Sequence, residues 1–83
     1  MSFTFGIRFE VALGVLDAQL SRYAEAMAIE RSKAQPNTNN IEHIDSAACE
    51  IRALREKLNP RDAKAIERVI SNYGKKAKAG RDH

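Results

Sequence analysis

The sequence has a single cysteine, Cys49, no tryptophan and few aromatic residues of any kind. One cysteine excludes an internal disulfide, which is typical of proteins from reducing compartments, so we expect a cytoplasmic protein. The apolar N-terminal residues are interrupted by Arg8, Glu10 and Asp17, and no basic leader precedes them. These interruptions exclude the long uncharged run that a membrane span or a signal peptide requires.

Motifs that carry catalysis or bind metals are also missing. The chain has no glycine-rich phosphate loop, nucleophile elbow or HExxH pattern, and one of its two histidines is the C-terminal residue, His83. His43 and Cys49 are six residues apart, which places them on different faces of a helix, and there is no second cysteine to complete a metal site. We therefore predict that the protein is not an enzyme and that it uses neither a metal nor a cofactor.

The 83 residues are enough for one domain, residues 1–83, with a small core. A core of this size rarely supplies more than about 3–5 kcal/mol, and a partner or oligomerisation often supplies the rest. The net charge of +3 is unevenly distributed, because residues 60–83 contain seven Lys or Arg against three Asp or Glu. A basic C-terminal third permits contact with nucleic acid or with an acidic protein.

Spacings of four and three predict a long first helix over residues 8 to 34. Apolar residues at these spacings form one stripe on such a helix. The stripe consists of Phe9, Leu13, Leu16, Leu20, Tyr23 and Met27. Several alanines nearby add helix propensity. We interpret the stripe as the interface for a partner protein or for a second copy of the chain, and its alternative role is the core face of a monomeric bundle.

Residues 2–7 are predicted to form an extended arm. Phe3, Phe5 and Ile7 alternate with polar residues or glycine, and this period of two is the signal of a strand. A single strand would need a partner strand from another chain. In the alternative, the phenylalanines close one end of the helical bundle.

The segment 35–40 predicts the first break between helices. Pro36 disfavours helical geometry in the preceding residue, and the asparagines that follow are typical of turns. Asn39 and Glu42 have the spacing of a capping box, which predicts that helix 2 runs from about residue 40 to 58. Its apolar stripe contains Ile41, Ile44, Ala48, Ile51 and Leu58.

Asn59 and Pro60 predict the second break, as the N-cap and first residue of helix 3. The stripe of helix 3, formed by Ala63, Ile66, Ile70 and Tyr73, is displaced by one residue from the phase of helix 2, which also indicates a turn. Gly74 is a candidate C-cap, so we predict helix 3 over residues 60 to 74 and a flexible basic tail over 75–83.

Together these patterns predict an all-α, three-helix assembly. The short first connection requires helix 2 to run back along helix 1, while helix 3 either folds over the pair or projects from it. The leading functional interpretation is a small interaction module: an adaptor, regulator or inhibitor that binds a partner protein and forms a homodimer. The alternative is a nucleic-acid-binding protein. Its contacts would be made by Arg61, Lys64, Arg68, Lys75, Lys76 and Lys78.

Overall fold

The structure, a computed structural model, describes the backbone of residues 3–81 and the side chains of residues 6–74. This part of the chain forms three helices and no strand: α1 at Phe3–Arg31, α2 at Thr38–Lys57 and α3 at Ala63–Arg81. The prediction of an all-α, three-helix assembly is confirmed. Over the same residues, no helix combines the length and the apolar character needed to cross a membrane.

The predicted arm over residues 2–7 is wrong for residues 3–7, which belong to α1, while residue 2 lies outside the described residues. The alternation of Phe3, Phe5 and Ile7 competes with the helical stripe that begins at Phe9. A helix pairs the backbone groups of this segment locally, whereas a strand would need a partner that the described chain does not contain. The helix therefore begins at Phe3, the first residue that the structure describes.

α2 begins at Thr38, which lies inside the predicted break at 35–40 and two residues before the predicted start at 40, and it uses a different cap from the one expected. Asn37, in extended geometry, is the N-cap, and its side chain accepts a hydrogen bond from the backbone N–H of Asn40 at 3.1 Å. Its carbonyl accepts a second bond from Ile41. The capping box at Asn39 and Glu42 is therefore wrong, because Pro36 ends the irregular segment two residues earlier than that spacing implied.

α3 begins at Ala63, because residues 59–62 form a turn. The Asn59 side chain accepts from the N–H of Arg61 at 2.8 Å, and its carbonyl accepts from Asp62. Asp62 then caps the helix by accepting from Ala65 at 3.1 Å. Asn59 is thus a turn residue, three positions before the true cap, which corrects the predicted start at 60.

The predicted end of helix 3 at Gly74 is also wrong, because α3 continues to Arg81. The predicted tail over 75–83 is therefore wrong for residues 75–81. A single glycine costs a helix about 1 kcal/mol against alanine. The lysines and alanines that follow have high helix propensity, so the helix continues through this position. Residues 82 and 83 lie outside the described residues.

Contacts at both ends of each interface fix the helix directions. Asn40 reaches Glu30, and Arg55 reaches Asp17, so α2 runs antiparallel to α1. Arg8 bonds Glu67 of α3, and Gln19 bonds the Tyr73 carbonyl, so α3 runs parallel to α1. Helix 3 therefore folds back onto helix 1, which answers the question that the sequence left open.

α1 lies between the other two helices. Among the described residues, no Cα atom of α2 is within 8 Å of a Cα atom of α3, whereas both helices contact α1. The molecule is a flat layer with extents of 54 × 28 × 15 Å. Its core is made by side chains from all three helices and the second connection. The buried core residues are Ala12, Leu16, Ile51, Leu58, Ile66 and Val69.

Leu16→Ala should destabilise the protein by about 2–5 kcal/mol, because Leu16 has no exposed surface and its loss leaves a cavity where all helices meet. The milder Ile66→Val should cost about 0.5–1.5 kcal/mol. Urea unfolding followed by circular dichroism measures both changes.

Ile29→Ala is the matched control, since Ile29 is 58% exposed and should change stability by no more than about 0.5 kcal/mol. Equal destabilisation by Leu16→Ala and Ile29→Ala would contradict the assigned core.

Candidate functional site

The apolar stripe predicted as an interface lies largely inside the chain. Leu16 is fully buried, and Phe9, Leu13, Leu20 and Tyr23 are half-buried and pack against the core. The sixth residue of the stripe, Met27, is half-buried. Most of this stripe is therefore already covered by α2 and α3, which leaves less of it for a partner than the pattern alone indicates.

A second surface of α1 remains uncovered. Ile7, Val11 and Ile29 are 59%, 41% and 58% exposed, and they are the large hydrophobic residues that stay exposed in the described part of the chain. Ile7 and Val11 lie one turn apart, and Ile29 lies about six turns beyond Ile7, so the three share one side of the helix. We call this side the outer face of α1, and Gly14, Ala18 and the exposed Glu25 lie between its apolar ends.

Gly14 lies in the middle of the outer face and is exposed. A Cβ atom built at this position would have no heavy atom within 4 Å apart from its chain neighbours and the backbone of its own helix. The packing of this chain therefore does not require glycine here, although glycine costs the helix about 1 kcal/mol. The bare backbone allows another molecule to approach α1 closely at this point.

The basic residues predicted to contact nucleic acid lie in two different parts of the fold. Arg61 lies in the turn before α3, and Lys64 and Arg68 lie on α3, all of them exposed. Lys57, in the last turn of α2, is exposed at the same end of the molecule. The sequence prediction did not include it, because that prediction considered only the basic residues of helix 3 and the tail. The side chains of three further predicted contacts lie outside the described residues. These are Lys75, Lys76 and Lys78.

Two arginine–carboxylate pairs join α1 to its neighbours. Arg8 donates from Nε to Glu67 Oε2 at 2.7 Å, and Arg55 donates from Nε to Asp17 Oδ1 at 2.8 Å. The hydrogen bond from Arg8 lowers the pKa of Glu67, and the bond to Asp17 raises the pKa of Arg55. These side chains are roughly half-exposed, and solvent screens pairs of this kind, so they orient the helices more than they stabilise them.

Glu30 is a buried carboxylate that sequence reasoning missed. It is 3% exposed and accepts hydrogen bonds from the backbone N–H of Asn37 at 3.0 Å, from Asn40 Nδ2 at 2.8 Å and from Lys33 Nζ at 3.1 Å. These bonds, the first above all, lower its pKa from 4.5 to about 2. One carboxylate thus ties the end of α1 to the start of α2.

A signal for Glu30 is present in the sequence. Glu30 follows Met27 by three residues, so it occupies the next position of the predicted stripe, although its side chain is charged. Gln19, 5% exposed, was missed for a related reason, because a search for apolar residues passes over an amide. Its Nε2 donates to the Tyr73 carbonyl at 3.4 Å and links α1 to α3.

His43 and Cys49 are both exposed on α2. Arg52 Nη1 lies 3.9 Å from the Cys49 sulfur. Within the described residues, no group of three or more His, Cys, Asp or Glu side chains is placed to hold a metal ion.

No protein-family model matches the chain, and no curated protein or solved structure is significantly similar to it. Two surfaces of the fold are candidates for contact with other molecules: the outer face of α1 and the basic end of the molecule.

Protonation of Glu30 should weaken the fold. Because its pKa falls from 4.5 to about 2 on folding, the stability it contributes is complete above pH 4.5 and is lost as the pH falls towards 2. Glu30→Gln should therefore be less stable than the wild type at neutral pH, and the difference should shrink across that window. Urea midpoints measured at several pH values check this, and a difference independent of pH would contradict the assigned role.

Proposed function

We propose that this chain is a non-enzymatic protein-interaction module, of the adaptor, regulator or inhibitor kind, that binds a partner protein through the outer face of α1. The observation that carries the proposal is that Ile7, Val11 and Ile29, the large hydrophobic residues left exposed in the described chain, all lie on this one face. Scattered exposed hydrophobic residues are ordinary, but residues aligned on one helix face are typical of a contact surface.

The groups with shifted pKa values support a structural rather than a catalytic use of charge. The pKa of Glu30 is lowered by hydrogen bonds, first that from the backbone N–H of Asn37, which join the end of α1 to the start of α2. Those of Glu67 and Arg55 are shifted by ion pairs that join helices. Each shift therefore has its cause in a contact that holds the fold together, whereas catalytic groups usually owe such shifts to neighbours in a cleft.

The geometry of the outer face indicates the kind of partner. From Ile7 to Ile29 the face is about 33 Å long, at about 1.5 Å per residue. It is convex, because it is one side of a single helix, so the partner must supply a groove or a long helix with an apolar stripe. Full burial of an aliphatic side chain contributes about 1.5–3 kcal/mol. The three residues, each about half-exposed, therefore contribute roughly 4 kcal/mol in all.

Val11→Glu with Ile29→Glu should abolish partner binding, because two carboxylates would be buried in an apolar contact. Circular dichroism should show an unchanged fold, since both residues are exposed. The measurement is an affinity capture from the native host with wild-type and variant chains.

Ser46→Glu with Ala53→Glu, which adds two carboxylates to exposed positions on α2, is the control and should retain the captured protein. The assignment fails if the α1 variant retains every protein that the control retains.

The proposal includes self-association through the same face. Sedimentation equilibrium at high micromolar concentration should give a mass above the 9.3 kDa of one chain for the wild type and the monomer mass for the Val11→Glu, Ile29→Glu variant. A monomeric wild type removes self-association and leaves the partner-binding proposal to be decided by the capture experiment.

A further inference from the structure

Positive charge accumulates at the end of the molecule where α2 turns into α3. Residues 52–68 contain six Lys or Arg and three Asp or Glu. All six basic residues are exposed, and Arg55 is paired with Asp17 of α1. The short connection between the helices keeps four of the others at one end of the molecule. They are Lys57, Arg61, Lys64 and Arg68, and we call them the basic surface.

Two of the three nearby carboxylates are engaged by the fold, and the third, Glu56, is exposed on α2. Glu67 is the one acidic residue in residues 63–74 of α3, and it is paired with Arg8 of α1. Asp62 accepts the hydrogen bond that caps α3. Because Arg8 comes from a different helix, folding neutralises the carboxylate that would otherwise oppose Lys64 and Arg68. The basic surface is therefore more positive in the folded chain than the helix 3 sequence alone indicates.

The side chains that accompany the basic surface are those that bind phosphate. Ser71 and Asn72 are exposed on α3 together with Lys64 and Arg68, and all four can donate hydrogen bonds. Lys, Arg, Ser and Asn side chains make many of the contacts to phosphate oxygens in protein–DNA complexes. We propose that the basic surface binds the phosphate backbone of duplex nucleic acid without regard to base sequence. This activity is separate from the outer face of α1 and goes beyond the protein-binding function.

Two observations favour a duplex over other polyanions. The large hydrophobic residues exposed in the described chain are all on α1, so the basic surface has no apolar anchor of the kind that dominates protein–protein binding. Tyr73, the aromatic residue of α3, is half-buried and packs against the core. Single-stranded nucleic acid is usually held by bases stacked on exposed aromatic rings, which this surface does not offer.

The test measures binding of the full chain to a short random-sequence duplex DNA, the matching duplex RNA, one DNA strand alone and polyglutamate, by fluorescence anisotropy. If the four basic residues each meet one phosphate, affinity for a duplex should fall roughly 100-fold between about 50 and 200 mM salt. Lys64→Gln with Arg68→Gln should weaken binding at low salt and reduce the slope of log affinity against log salt by about 1.8.

Arg22→Gln with Arg31→Gln is the matched control, because it also lowers the net charge of +3 by two, at exposed positions of α1 away from the basic surface. It should leave the salt slope unchanged, and circular dichroism should show both variants folded. Binding to either duplex with this pattern supports the proposal. It is overturned by no binding at low salt, by equal effects of the two double variants, or by equal or tighter binding to the single strand or to polyglutamate.

Discussion

The burial of Ala12 and Leu16 on α1 is the contact on which the rest of the fold depends. Both side chains have no exposed surface, and they meet residues of the other two helices and of the connection between them. α2 and α3 approach each other less closely than either approaches α1. α1 is therefore the shared partner, and a defect at these two positions would affect both interfaces at once.

This arrangement explains how the surfaces are distributed. In a compact bundle each helix buries one stripe, whereas here α1 has a neighbour on two sides and buries a wider band of residues. The apolar residues that remain exposed are those on the side of α1 that faces neither neighbour. The flat layer, 15 Å in its shortest dimension, consequently presents along its central helix an outer face with apolar residues near both ends, and a basic surface at one end of the molecule.

Three electrostatic contacts determine how the helices are arranged, and of these the buried Glu30 also stabilises the fold. Glu30 closes the connection between α1 and α2, and the pairs of Arg8 with Glu67 and Arg55 with Asp17 join each neighbour to α1. Exposed pairs contribute little free energy, but a bidentate arginine requires a defined geometry. The Arg8–Glu67 pair also neutralises the carboxylate of Glu67, which leaves the exposed face of α3 more positive.

The sequence by itself determined the helical class, the number of helices and the approximate positions of both breaks, because apolar spacing and turn residues are local signals. It misplaced the caps: Asn39 and Asn59 have capping chemistry, but Asn37 and Asp62 are the residues that fit the backbone geometry. It also missed Glu30, because a charged residue at a core position is explained only by donors that folding brings to it.

Only the tertiary structure decided which apolar residues are covered. The stripe through Leu16 and the exposed residues Ile7 and Val11 are both apolar and have similar helical spacing. They differ because α2 and α3 cover two sides of α1, and none of the described helices covers the side that carries Ile7 and Val11. Periodicity predicts which residues share a helix face. Burial depends on which face a distant segment of the chain packs against. The path of α3 and the pairing of Arg8 with Glu67 could therefore be seen only in the folded chain.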